Sequence, residues 1–234
     1  MKTVVLFDID GTLLASGGVG RRAFEGALES RLGALGARGA PDYRYDGKTD
    51  RQIGRDVLRH AGRSHAEIDL MLDELIADYL VRLREELDAG APGMRVHAGI
   101  LPLLDALEAR DDAVLGLLTG NVMAGAALKL GAAGIEPARF LVGAFGSDHE
   151  LRSELPPIAQ RRASALLRCD VPGRSMVIIG DTPADVQCGR GIGARAIAVA
   201  TGHFSVTDLG EHAPHAVFAD LTDIAAVLEA IFDA

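Results

Sequence analysis

Three groups of residues in this chain have types and spacings that could do chemistry. Asp8-Ile9-Asp10-Gly11-Thr12-Leu13 sets two carboxylates at i and i+2. In extended chain such residues share a face, because side chains alternate. They fall where an apolar run, 3–9, gives out. A bare acidic pair there repels itself, so a cation or a functional pKa shift is expected. A hard divalent ion with oxygen ligands, Mg2+, fits. The plain alternative is a polar strand end turned by Gly11. Thr119-Gly120-Asn121 ends a second apolar run. The Thr119 hydroxyl could bond a phosphate oxygen, joined by the Gly120 and Asn121 amides. Thr119 is equally suited to start a helix. Gly180-Asp181-Thr182-Pro183-Ala184-Asp185 follows a third run. Asp181 stands at its end, and Asp185 can fold back from the loop or the first helical turn. Capping and helix-dipole roles are the plain reading of this pair.

The elements that must hold these groups are legible as periods. Continuous apolar, β-branched runs predict buried strands over 3–9, 115–119, 176–180, 196–200 and 216–218, with a weaker one over 140–142. Between them lie helical patterns. Ile100, Leu103, Leu104 and Leu107 recur at i, i+3, i+4 and i+7. Further helices are expected over 122–133, 157–168 and 221–232. Strands alternating with helices indicate a parallel sheet covered on both faces, with ligands beyond the strands' carboxyl ends. The stretch 15–94 breaks the alternation and contains no buried-strand pattern. Phe24, Ala27, Leu28, Leu32 and Leu35 mark one amphipathic helix, and Ile68 to Leu87 carry a long second one. The expected fold is α/β: a Rossmann-like parallel sheet core formed by 1–14 and 95–234, with an inserted all-helical cap domain over 15–94.

Composition narrows the function. The 234 residues carry 33 acidic and 24 basic side chains, a net charge of −9, which argues against nucleic-acid or basic membrane-surface binding. Two cysteines cannot build a disulfide framework or a Cys-x-x-Cys zinc site. The apolar start is cut short by Asp8 and Asp10, so no signal peptide is expected, nor is any run long enough to span a membrane. A cytoplasmic protein is the resulting expectation. The histidines, including His97, His149 and His203, show no metal-ligand spacing.

Taken in order, Asp8-x-Asp10-Gly11-Thr12, Thr119 and Gly180-Asp181-x-x-x-Asp185 resemble the motifs of the haloacid dehalogenase-like hydrolases, in the branch of the phosphoglycolate phosphatases with a helical cap. The resemblance spans nearly the whole chain. It implies a Mg2+-dependent phosphatase that hydrolyses a small phosphorylated metabolite through an aspartyl-phosphate. Asp8 is then the nucleophile. Asp10 protonates the leaving oxygen, later activates water, and lends its backbone carbonyl to the metal. Asp181 ligates the metal, Asp185 orients or binds it, and Thr119 holds phosphate oxygens.

The family places a phosphate-neutralising lysine between its second and last motifs. Here the only lysine in that interval is Lys129, inside a helical pattern and plainly read as a surface residue. Arg152 stands in the loop before the next helix, and that placement favours it as the neutralising cation, with Lys129 the alternative. In the expected cap, Tyr45-Asp46-Gly47-Lys48-Thr49-Asp50 is a polar turn before a helix. Asp50 or Thr49 could cap that helix, or Lys48 could close over an anionic substrate and set specificity. A sugar-phosphate mutase and a non-catalytic phospho-signalling module are the alternatives to a phosphatase. The apolar helix over 68–87 is compatible with a monomer or a homodimer.

Overall fold

The computed structural model describes residues 2–37 and 43–233, without the side chains of 34–37, so the expected role of Leu35 lies outside the described residues. The chain opens with β1 (Thr3–Phe7), then β2 (Leu14–Ser16). Three helices follow: α1 (Val19–Ala37), α2 (Asp50–His60) and α3 (His65–Asp88). After β3 (Met94–Val96) come α4 (Ile100–Glu108), β4 (Ala113–Thr119), α5 (Met123–Ala132), β5 (Val142–Phe145) and α6 (Leu155–Leu167). The chain closes with β6 (Met176–Gly180), α7 (Pro183–Cys188), β7 (Arg195–Val199), α8 (Val206–Gly210), β8 (Ala216–Phe218) and α9 (Ile224–Phe232).

Six strands form one parallel sheet in the order β5-β4-β1-β6-β7-β8. β1 is central because it can be buried on both faces. Val4 and Leu6 face α6, packing with Leu155, Ala159 and Ala163. Val5 and Phe7 face the other way, onto Leu103 and Leu107 of α4, Leu130 of α5 and Ile231 of α9. All four are fully enclosed, each contributing about 1.5–3 kcal/mol of burial. The alternation that sends successive side chains to opposite layers thus fixes where β1 ends and its carboxylates begin.

Helices α1–α3 gather around a second cluster, which includes Phe24, Leu28, Val57, Leu75 and Tyr79 and extends to Val122 before α5. α3 begins in a capping box between Ser64 and Glu67, and α1 kinks at Gly33. The segment is entered through β2 and left through β3, which pair antiparallel. The sequence reading missed these two strands, since three residues are too few to establish a period. Boundaries shift as well: β4 starts at Ala113, β7 runs over Arg195–Val199, and α6 and α9 start at Leu155 and Ile224. β1 stops at Phe7, before the acidic pair. The 140–142 strand is observed over Val142–Phe145, because a 3-10 turn at Pro137–Arg139 uses up the preceding residues. No helix among the described residues is long and apolar enough to cross a membrane.

Candidate active site

The carboxyl ends of the three adjacent strands β4, β1 and β6 deliver Thr119, Asp8 and Asp181 side by side. Asp8, Asp181 and Asp185 are all buried, and each offers an oxygen within 4.8 Å of the others. Asp8 Oδ2 lies 3.2 Å from the Arg152 guanidinium. Arg152 also pairs with Asp185 Oδ1, while Asp185 Oδ2 accepts from the Thr182 hydroxyl at 2.6 Å and the Thr182 amide at 3.0 Å. Asp185 therefore caps α7 and fixes Arg152 at once. Its two oxygens are engaged, which suits an orienting role. Asp181 accepts from the Thr12 hydroxyl at 3.1 Å. Two glycines make room for it: a Cβ on Gly202 would fall 1.8 Å from Asp181 Oδ2, and one on Gly11, at φ 81°, would fall 2.2 Å away.

Three carboxylates against one guanidinium leave two negative charges uncompensated. Burial, with Asp185 close by, pushes the Asp8 carboxyl up to about 6 although Arg152 pulls it down. Burial and the neighbouring carboxylates raise Asp181 as well. An enclosed, oxygen-only donor set short of two positive charges fits a divalent hard cation. Asp8 and Asp181 would be its side-chain ligands, with Asp185 beside them.

The Asp10 carboxylate is not part of this cluster. Although Asp8 and Asp10 were expected to share a face and a cation, the chain turns after Phe7 and gives each its own partner. Asp10 Oδ2 takes the Lys129 ammonium at 2.6 Å and the Asn121 side-chain amide at 2.8 Å. Burial would raise the Asp10 carboxyl, but the Lys129 ammonium and these hydrogen bonds hold it below the usual carboxylate range. The plain reading of Lys129 as a surface lysine is corrected here: it is 4% exposed. Lys129 and Arg152 are not competitors for one position. They stand on different carboxylates, Arg152 at Asp8 and Lys129 at Asp10.

The loop before α2 docks against the same strand ends. Thr49 caps α2, accepting from the Gln52 amide, and donates its hydroxyl to the Glu150 carbonyl at 2.6 Å. Capping is thus met by Thr49, and Asp50 is free for another contact. Its amide donates to the Gly120 carbonyl, and its carboxylate accepts from the Val122 amide, each at 2.8 Å. Burial pushes Asp50 up to about 6. The sequence reading missed this contact. The signal was a Thr-Asp pair at a helix start that needs only one cap. Lys48, expected to face the site, instead lies 3.1 Å from Asp56 and 3.9 Å above the Tyr43 ring. Only its backbone meets the strand ends, where a Cβ on Gly120 would fall 2.1 Å from the Lys48 carbonyl oxygen.

Residues 156–224, which include Asp181 and Asp185, match a family model described as HAD-hydrolase-like. Solved structures align along almost the whole chain. A hydrolase from Pseudomonas syringae superposes with a TM-score of 0.74, at 19% identity, over 97% of this chain and 98% of its own. The fold is that of the haloacid dehalogenase-like hydrolases. A predicted phosphoglycolate phosphatase from Haemophilus somnus aligns with a TM-score of 0.70 at 17% identity, over 97% and 98% of the two chains. CbbY from Rhodobacter sphaeroides, solved in complex with phosphate, gives 0.67 at 20% identity over 96% of each chain. No curated protein sequence matches significantly. The haloacid dehalogenase-like fold agrees with the resemblance carried by the three motifs, and the carboxylate cluster lies beyond the carboxyl ends of the parallel strands.

Proposed function

We propose that this protein is a Mg2+-dependent phosphatase that hydrolyses a small phosphorylated metabolite through an aspartyl-phosphate on Asp8. The observation that carries the reading is the convergence of Asp8, Asp181 and Asp185 on one point, with Arg152 as their only direct ion-pair partner among the described residues. A divalent cation would neutralise the cluster and remove its repulsion of a phosphate monoester. When bound, Mg2+ would offset the repulsion between the phosphate oxygens and Asp8.

The chain's own residues supply the rest. An Asp8 oxygen attacks phosphorus opposite the ester oxygen, and the P–O bond to the leaving group breaks as the acyl phosphate forms. Arg152 and the Thr119 hydroxyl, both beside Asp8, hold the transferring oxygens. Asp10 must first take up a proton, against the pull of Lys129 that favours its ionised form; it gives that proton to the departing alkoxide and regains one from the water that cleaves the acyl phosphate. The helices over 15–94 act as a cap: seated through Thr49 and Asp50, they exclude water and choose the leaving group. In this reading Lys48 acts through its backbone seat on Gly120.

A panel of phosphorylated metabolites, assayed for inorganic phosphate with Mg2+ or with a chelator, tests the proposal. Release is expected with Mg2+ alone. It should vanish in Asp8→Asn, along with the homoserine formed when borohydride reduces the acyl phosphate. An isomerised sugar phosphate in place of free phosphate would make the protein a mutase. A protein that binds phosphate esters without turning any over would be a signalling module instead.

A further inference from the structure

The mechanism above gives Lys129 no task, yet it is the most deeply enclosed ammonium near the site. It reaches out of the last turn of α5 to two acceptors, Asp10 Oδ2 and Asn121 Oδ1, each at 2.6 Å. Asn121 closes the ring by donating its side-chain amide to Asp10 Oδ2 and to the Thr119 hydroxyl, both at 2.8 Å. The other carboxylate oxygen, Asp10 Oδ1, is enclosed and has no hydrogen-bond partner. Space for the ammonium comes from Gly20 on α1, where a Cβ would lie 3.0 Å from Nζ. No hydrogen bond or ion pair among the described residues joins Lys129 to Asp8.

We propose that Lys129 is a positioning residue: with Asn121 it grips Asp10 by Oδ2, fixes the direction of the carboxylate, and leaves Oδ1 as the oxygen without a donor. Proton transfer to the leaving group then depends on a lysine that touches neither the phosphate nor Asp8. A buried ammonium is costly to desolvate and is worth keeping only with strong acceptors. Both acceptors here belong to the Asp10 side of the site. A single nitrogen converging on two oxygens restrains a carboxylate more tightly than Asn121 alone could. The role also explains why Arg152 does not duplicate Lys129. One cation serves the carboxylate that attacks phosphorus, and the other serves the carboxylate that moves the proton.

The inference rests on the phosphatase reading, and leaving-group chemistry tests it. p-Nitrophenolate departs without a proton, whereas the alkoxide of glycerol 2-phosphate does not. In Lys129→Met, kcat for the alkyl ester should fall about 100-fold while KM moves less than about three-fold, as for a misplaced catalytic group. With p-nitrophenyl phosphate the same variant should release a rapid burst matching the enzyme concentration, then turn over slowly, because Asp10 must still activate water. A crystal structure of the variant should show the Asp10 carboxylate rotated away from its present position. An unmoved carboxylate would overturn the proposal. So would an equal loss on both esters in the first turnover, with raised KM and weaker inhibition by inorganic phosphate, since that pattern belongs to a phosphate-binding cation. Should Lys129→Met fail to fold, Gly20→Ala crowds the ammonium while keeping it. An alkyl-ester kcat reduced about ten-fold supports the proposal and an unchanged one overturns it. If the wild-type protein releases phosphate from neither ester nor any member of the metabolite panel, the phosphatase reading itself is overturned.

Discussion

Asp181 is the residue whose removal should help the fold and harm the function. Its carboxyl is raised by burial, by Asp185 and by Asp8, so the ionised form is under electrostatic pressure at neutral pH. Asp8 and Asp50, each pushed up to about 6, share that condition. A carboxyl with a raised folded-state pKa keeps its proton longer in the folded protein than in the unfolded chain. Between about pH 4 and 6 the native state therefore binds more protons, and stability falls as pH rises through that window. Asp10, held down by Lys129, works in the opposite sense and below about pH 4. In chelator, the melting temperature should be lower at pH 7 than at pH 5. Added Mg2+ should raise it at pH 7 and do much less at pH 5, where protons compete for the same oxygens. Asp181→Asn in chelator should gain about 1 kcal/mol, roughly 2–4 °C in a chain of this length, and should lose the Mg2+ response. Calorimetry at the two pH values reads both effects.

At the scale of elements, the seat of α2 is the part most open to a small change. Gly120 has no room for a side chain, since its Cβ would fall 2.1 Å from the Lys48 carbonyl oxygen. Gly120→Ala should push the 47–50 loop off the strand ends and break the Asp50–Val122 contact. The sheet should keep its stability to within about 1 kcal/mol, because the displaced loop is separate from its core, while kcat/KM falls about 100-fold. Amide exchange at Asp50 and Val122 should rise together. Much of this element order was legible in the sequence. β6 and β8 have their expected bounds because unbroken apolar runs leave no other register. The carboxylates of Asp8, Asp181 and Asp185 were legible for the same reason, since each follows such a run. The place of Lys129 was not. Lys129 stands in an Ala-rich helix whose local pattern says nothing of Asp10, 119 residues away in sequence. Asp50 was hidden by a neighbour able to cap the same helix. Long-range polar pairing leaves no periodic trace, so partners must be seen in space.

Across the whole molecule, the sheet that carries the acidic cluster and helices α1–α3 are built on different hydrophobic clusters. Leu75 is fully buried among the helices, whereas Phe7 and Ile179 anchor the sheet. Leu75→Ala should destabilise the protein by about 2–5 kcal/mol through the cavity it leaves. Cation affinity, measured by titration calorimetry below the melting range, should stay within about two-fold, because Asp8 and Asp181 hang from the sheet; burying Leu75 contributes nothing to their spacing. The two parts touch at several places, through Thr49 and Arg55 on Glu150, Asp50 on Gly120 and Val122, and Gly20 beside Lys129, but the chain passes between them along one ribbon. β2 and β3 carry the chain out and back side by side, and Asp10 already bridges to Leu14 at the base of β2. Any tilt of the helices must twist this paired ribbon. That twist would enter the chain four residues from Asp10 and six from Asp8, so movement of the helices and the aim of both carboxylates would be mechanically linked.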